Sequence, residues 1–246
     1  MGFYEQIAPY YDYIFPAGRE QLSFIKATAG EPPAKLLDIA CGTGVYSVEL
    51  ARDGYTVWAT DVDSEMIRRA QLRASAENIP VKALECDMLQ LDSLIDDRFD
   101  CIFCIGNSIV HLGGMEDILA AVRQMKMRLK QKGTLILQII NFDRILEKGI
   151  STLPTIVNQD KGLEFQRNYR LDAQTGLIYF DTILTVNEGG QKNRFENRVR
   201  LFPLLSSDLL GILKNAGFGQ IDFYGGFNGD PYIAGESYLL VVRAAF

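Results

Sequence analysis

The stretch Lys35-Leu-Leu-Asp-Ile-Ala-Cys-Gly-Thr-Gly44, closed by Thr60-Asp61, constrains the fold more than any other part of the chain. A short apolar run reads as a buried strand, the glycines as a tight turn, and the residues after them as a helix. A second apolar run then ends in an acid. That order is a βαβ unit, and a nucleotide-like cofactor sits across such a turn with its ribose on the acid. A pyrophosphate-binding fingerprint needs a third glycine where Ser47 stands, so a dinucleotide fits poorly.

The alternation continues. Strands are expected at 35–40, 55–61, 81–86, 99–105 and 134–140, with helices at 19–29, 44–53 and 115–130. Ser64 reads as a helix N-cap, with Asp63 just before it, and Gly133 as a helix C-terminal cap. The pattern then changes to antiparallel strands at 163–171, 176–187 and 193–202, with Glu188-Gly-Gly190 as a hairpin turn. A helix at 206–216 and strands at 219–225 and 237–244 close the chain. The expected fold is α/β. A Rossmann-like, seven-stranded, mostly parallel sheet has its last strand antiparallel, and an antiparallel β insertion (150–203) follows strand five. No linker composition divides residues 1–246, so one domain is expected. Residues 1–30 open with the aromatics Phe3, Tyr4, Tyr10, Tyr11, Tyr13 and Phe15, which suits a lid-like segment over a cofactor.

A net charge of −6 and a pI near 5.0 argue against nucleic acid or an anionic membrane as partner. No run of 18 apolar residues and no leader-like opening occurs, so a soluble, cytoplasmic protein is expected. Cys101-x-x-Cys104 has metal-site spacing but lies inside a strand. Residues three apart there point to opposite faces, so no metal site is expected. Arg194, Arg198 and Arg200 share one face of a later strand, most simply a solvated one.

The candidate site residues fall at strand ends. Gly42 and Gly44 let the backbone turn and approach a ligand. Asp61 ends strand two. Asp87 follows strand three, with Met88 beside it. The pattern Asp38-x-Ala40-x-Gly42-x-Gly44 resembles motif I of the class I S-adenosylmethionine (SAM) methyltransferases, with Ala40 in place of the first glycine. Gly106-Asn-Ser108 with His111-Leu112 resembles the strand-four loop of glycine N-methyltransferases and related small-molecule N-methyltransferases. Asn141-Phe-Asp-Arg-Ile-Leu146 and Phe227-Asn-Gly-Asp-Pro-Tyr232 are similar to further segments of that family.

The resemblance implies SAM as cofactor and a small-molecule amine as acceptor, methylated by direct in-line displacement. It implies cofactor contacts at Asp38, Ala40, Gly42, Gly44, Asp61, Asp87, Met88, Ile105 and His111, joined by Tyr11 and Arg19 from the N-terminal segment. It makes Asn107 and Tyr232 substrate-positioning residues, without a catalytic acid or base, and His111 a neutral ring near the sulfur end. The family's carboxylate-binding arginine corresponds to Ile140 here, which puts glycine in doubt; Arg144, Arg167 and Arg170 are the arginines that could replace it. An amino-sugar N-methyltransferase and a non-catalytic SAM-binding protein are the alternatives. The antiparallel insertion could cover the site or form a homo-oligomer contact.

Overall fold

The structure, a computed structural model, describes residues 7–245. Phe3 and Tyr4 of the aromatic N-terminal run lie outside the described residues. The strands in chain order are β1 (Lys35–Ile39), β2 (Thr56–Asp61), β3 (Val81–Glu85), β4 (Phe99–Cys104) and β5 (Leu129–Ile140). They are followed by β6 (Thr152–Asn158), β7 (Leu163–Leu171), β8 (Ile178–Glu188) and β9 (Gln191–Leu201), then β10 (Gln220–Tyr224) and β11 (Leu239–Ala245). The longer helices are α1 (Arg19–Ala29), α2 (Val45–Arg52), α3 (Ser64–Ala76), α4 (Met115–Arg128), α5 (Phe142–Lys148) and α6 (Ser206–Asn215).

Seven strands form one sheet in the order β10-β11-β5-β4-β1-β2-β3. The pairs among β1 to β5 are parallel, and β11 runs antiparallel to both β5 and β10. The expected seven-stranded architecture is therefore present. The central strands are apolar on both faces because helices cover both. On β4, Cys101 packs with Leu36, Val57 and Ile25 of α1, while Cys104 packs on the opposite side with Leu37, Ile118 and Val122 of α4. Burial pushes both thiols far above the ordinary range, which leaves them inert as nucleophiles. Strand order reverses between β1 and β4, and the crevice at such a reversal opens beyond the carboxyl ends of the strands.

The remaining four strands form a separate antiparallel sheet, β6-β7-β8-β9. Gly189 and Gly190 turn β8 into β9 with φ of +58° and +82°, the two positive angles that a two-residue hairpin requires. One end of its inner face, Leu163, Phe165, Leu184 and Val186, is buried against Ile7 and Ile14. The other end, Tyr169, Ile178 and Leu201, joins the main core.

Two local expectations are corrected. Asp63, not Ser64, caps α3, because its carboxylate accepts the Glu65 and Met66 amide protons at 2.9 and 3.2 Å. Gly133 caps nothing: α4 ends at Arg128 and Gly133 sits inside β5. A Cβ there would stand 2.9 Å from the Phe99 carbonyl oxygen, beside the register shift between β4 and β5, so close strand approach explains the glycine. Finally, α5 and β6 were not expected. Pro154 in β6 suits an edge strand, where no ladder proton is missed.

Candidate functional site

The turn after β1 is built from left-handed backbone. Ala40, Gly42 and Gly44 have φ of +57°, +55° and +73°. The two glycines serve different neighbours. A Cβ on Gly42 would lie 3.1 Å from the Tyr11 ring, whereas one on Gly44 would lie 2.7 Å from the Ala70 Cβ of α3. Gly44 therefore permits helix packing, and Gly42 permits the Tyr11 ring to lie over the turn. The turn is held by the acid of β2: Gly42 N–H donates to Asp61 Oδ2 at 2.8 Å, and Asp63 N–H to Oδ1 at 3.0 Å. Burial raises the Asp61 pKa, and these two amide protons oppose the rise. Beneath the turn, Asp38 is 2% exposed and accepts the Ser47 hydroxyl proton at 2.6 Å. Ser47 thus fills the place of a third glycine with a buried hydrogen bond. Desolvation pushes Asp38 up to about 7, against the Ser47 hydrogen bond and with help from the Asp61 charge.

A cavity of about 300 Å³ opens over this turn. Tyr11, Ala40, Gly42, Asp61, Asp87, Met88 and His111 line it, so seven expected site residues converge on one hollow. Val62, Asp63, Met66, Ser108 and Leu112 also line it and were not named as cofactor contacts. Adjacency to Asp61 and His111 was the available signal for Val62 and Leu112. Asp38, Gly44, Ile105, Asn107, Tyr232 and Arg19 are not among the lining residues. Ile105 is buried in the core beside Phe103 and Val241, and Arg19 is the exposed first residue of α1.

Residues 36–133 match the family model described as a methyltransferase domain. A glycine/sarcosine N-methyltransferase from Aphanothece halophytica is 28% identical over 210 residues, covering 83% of this chain and 73% of the relative. An S-adenosylmethionine-dependent methyltransferase structure from Clostridium acetobutylicum superposes with a TM-score of 0.83 at 18% identity, over 100% of this chain and 99% of that one. These findings support a class I SAM-dependent methyltransferase. A sugar N-methyltransferase from Streptoalloteichus shares the fold, with a TM-score of 0.71, 18% identity and coverage of 96% and 91%.

The methyltransferase uses SAM, and the donor set fits that group. Carboxylates stand at the ends of β2 and β3, the turn presents close backbone, and Ile39, Met88 and Leu112 supply apolar wall. The Asp87 carboxylate accepts the Leu89 amide proton at 2.9 Å, which orients it. His111 lines the hollow, and desolvation lowers its pKa from the ordinary 6.5.

The strand-four loop is anchored from β5. Gly106 N–H donates to Gln138 Oε1 at 2.7 Å, and Asn107, at φ +70°, accepts the Ile140 amide proton on Oδ1 at 2.9 Å. The Asn107 carbonyl oxygen is thus committed to the backbone. Tyr232 Oη lies 2.8 Å from both Asn141 Oδ1 and Asp143 Oδ2, and Asn141 Nδ2 donates to the carbonyls of Ala234 and Ser237. This clasp ties residues 232–237 to the end of β5, so the Tyr232 hydroxyl is held in structural bonds. Near the cofactor turn, Asp12 bonds the Thr43 hydroxyl and the Arg73 guanidinium, and Arg73 Nε donates to the Thr43 carbonyl at 3.1 Å. The helical turn Tyr11–Ile14 is thereby latched onto the glycine turn.

Proposed function

We propose that this methyltransferase methylates the nitrogen of a small-molecule amine. The observation that carries the reading is the convergence of Asp61, Asp87, His111 and Tyr11 on one hollow at the strand ends. The nitrogen preference rests on the names of the relatives, which are N-methyltransferases. Asp61 takes the ribose hydroxyls: each of its oxygens accepts one amide proton and retains a further lone pair. Asp87 accepts from the adenine amino group, with Met88 against the ring. Bound SAM supplies an electrophilic methyl on a cationic sulfur. The acceptor nitrogen attacks that carbon in line, a C–N bond forms as the S–C bond breaks, and the surplus proton leaves the nitrogen to water. The protein's part is to hold two reactants in line, an effect worth about 7–11 kcal/mol. Neutral His111 and the ring of Tyr11 shape the methyl's surroundings without a proton relay.

Calorimetric titration with SAM and S-adenosylhomocysteine tests the donor half. Asp61→Ala is expected to weaken both by about 10- to 100-fold, the loss of hydrogen bonds to a charged acceptor. Release of S-adenosylhomocysteine across amino acids, simple amines and amino sugars tests the acceptor half. Wild-type protein that binds neither donor nor product rules the reading out.

A further inference from the structure

Gln138 breaks the apolar pattern of β5. Leu135, Ile136, Leu137 and Ile139 around it are fully buried, and Gln138 itself is 7% exposed. An amide buried in an apolar strand is costly unless it is hydrogen-bonded. Its partner lies in the strand-four loop. Gln138 Oε1 accepts the Gly106 amide proton at 2.7 Å, and the Gln138 main-chain carbonyl accepts that of Asn107 at 3.2 Å. A return bond runs from Ile140 N–H to Asn107 Oδ1 at 2.9 Å. Among the described residues, Gln138 is the one β5 side chain that bonds the backbone of this loop.

The two residues it holds carry unusual backbone. Gly106 and Asn107 have φ of +84° and +70°. A Cβ on Gly106 would meet nothing within 4 Å, so glycine serves the angle there and not the space. Asn107 lacks that freedom, and a left-handed residue with a side chain persists where its surroundings over-determine it. After this left-handed pair the chain delivers Ser108, His111 and Leu112 to the wall of the cofactor cavity, and Gly106 lines it as well. The far end of the same turn is held from the antiparallel sheet, where Phe202 N–H donates to the Val110 carbonyl at 2.8 Å. Gln138 therefore fixes the near end of a cavity wall that it does not itself line.

We infer that Gln138 is a positioning residue of the cofactor site: its side-chain carbonyl presets the strand-four loop before SAM arrives. Binding then does not have to order that wall. Without the bond only a fraction of the molecules present the wall correctly, and apparent affinity falls by that fraction. The inference rests on SAM as the donor and is independent of the acceptor.

The test titrates S-adenosylhomocysteine by calorimetry and follows amide hydrogen exchange across residues 104–112 with and without it. In the wild type, the Gly106 and Asn107 amides are expected to be protected already in the ligand-free protein. Gln138→Met keeps the length of the side chain and removes the acceptor. It should weaken S-adenosylhomocysteine by about tenfold, the loss of one buried hydrogen bond. Its loop should exchange faster without ligand and regain protection at saturation. Gln138→Glu offers an acceptor oxygen in either protonation state, so it should recover most of the affinity and of the protection. A merely structural glutamine would lower Tm in Gln138→Met and leave affinity below Tm unchanged; that result overturns the inference. So does a Gln138→Glu protein as weak as Gln138→Met, or a loss of affinity with loop protection intact. Should Gln138→Met fail to fold, the wild type decides: a loop that exchanges freely until ligand binds is not preset. A wild type that binds neither SAM nor S-adenosylhomocysteine strikes the cofactor assignment, and the inference with it.

Discussion

Ala40 holds φ at +57°, a conformation that costs an L-residue about 1–2 kcal/mol and glycine almost nothing. Part of that gain is offset because glycine also loosens the unfolded chain, by about 0.4–1 kcal/mol. Ala40→Gly is therefore expected to stabilise the ligand-free protein by about 0.5–1 kcal/mol, read as a rise of about 2 °C in Tm. An unchanged or lower Tm would show that the alanine methyl contributes packing that outweighs the strain. Asp38 makes a different prediction. Its pKa rises in the folded state to about 7, chiefly by desolvation. The native protein then binds the Asp38 proton more tightly than the unfolded chain does, so this contribution is complete below about pH 4 and is lost as pH rises to about 7. Asp38→Asn keeps an acceptor for Ser47 but cannot ionise. Urea denaturation at pH 5 and pH 8 should show the wild type losing stability across that interval by a few kcal/mol more than the variant does. Parallel losses in the two proteins would refute the assignment.

At the scale of elements, the N-terminal segment joins two parts of the fold. Ile7 and Ile14 are buried in the antiparallel sheet, Phe15 stacks edge-on to Phe165 at 5.7 Å, and Asp12 latches the same segment to Thr43 and Arg73. Removing residues 1–16 would uncover an apolar sheet face, so a point change is the cleaner probe. Asp12→Ala cuts the latch but leaves the buried side chains in place. Partly exposed ion pairs contribute about 0–1 kcal/mol, so Tm should barely move. SAM affinity should fall severalfold by calorimetry, because Tyr11 loses its fixed position over Gly42. Equal affinity would mean that the aromatic contacts alone hold the segment. Much of this level is legible in the sequence. The bounds of α1 and β7 coincide with the expected 19–29 and 163–171, because unbroken periodicity and flanking turn residues mark them. Pro154 hid β6, since a proline inside a short apolar run argues against a central strand and β6 is an edge. The acids at 61 and 87 were legible because strand ends are. Asn107 and Tyr232 were legible as positions only: that their oxygens are committed to Ile140, Asn141 and Asp143 depends on tertiary contacts.

For the whole molecule, the cofactor cavity is walled by pieces that are distant in sequence: the N-terminal turn, the ends of β1, β2 and β3, and the strand-four loop. The antiparallel sheet packs on two of these pieces, through Tyr11 and through the turn at residues 109–111. A ligand that bridges those walls binds the native state and has little to bind in the unfolded chain. At 100 times its dissociation constant it should add about 2.7 kcal/mol. For a chain of this length that corresponds to about 5–10 °C in Tm. Proteolysis separates a general effect from one carried by the walls. If binding joins the N-terminal segment to the glycine turn, S-adenosylhomocysteine should slow cleavage within residues 7–18 more than it slows cleavage at the distant Gly189-Gly190 hairpin tip. Equal protection at both places would make the stabilisation a global shift. Selective protection that disappears in Asp12→Ala would assign it to the latch, because that change leaves the cavity acids and the sheet intact.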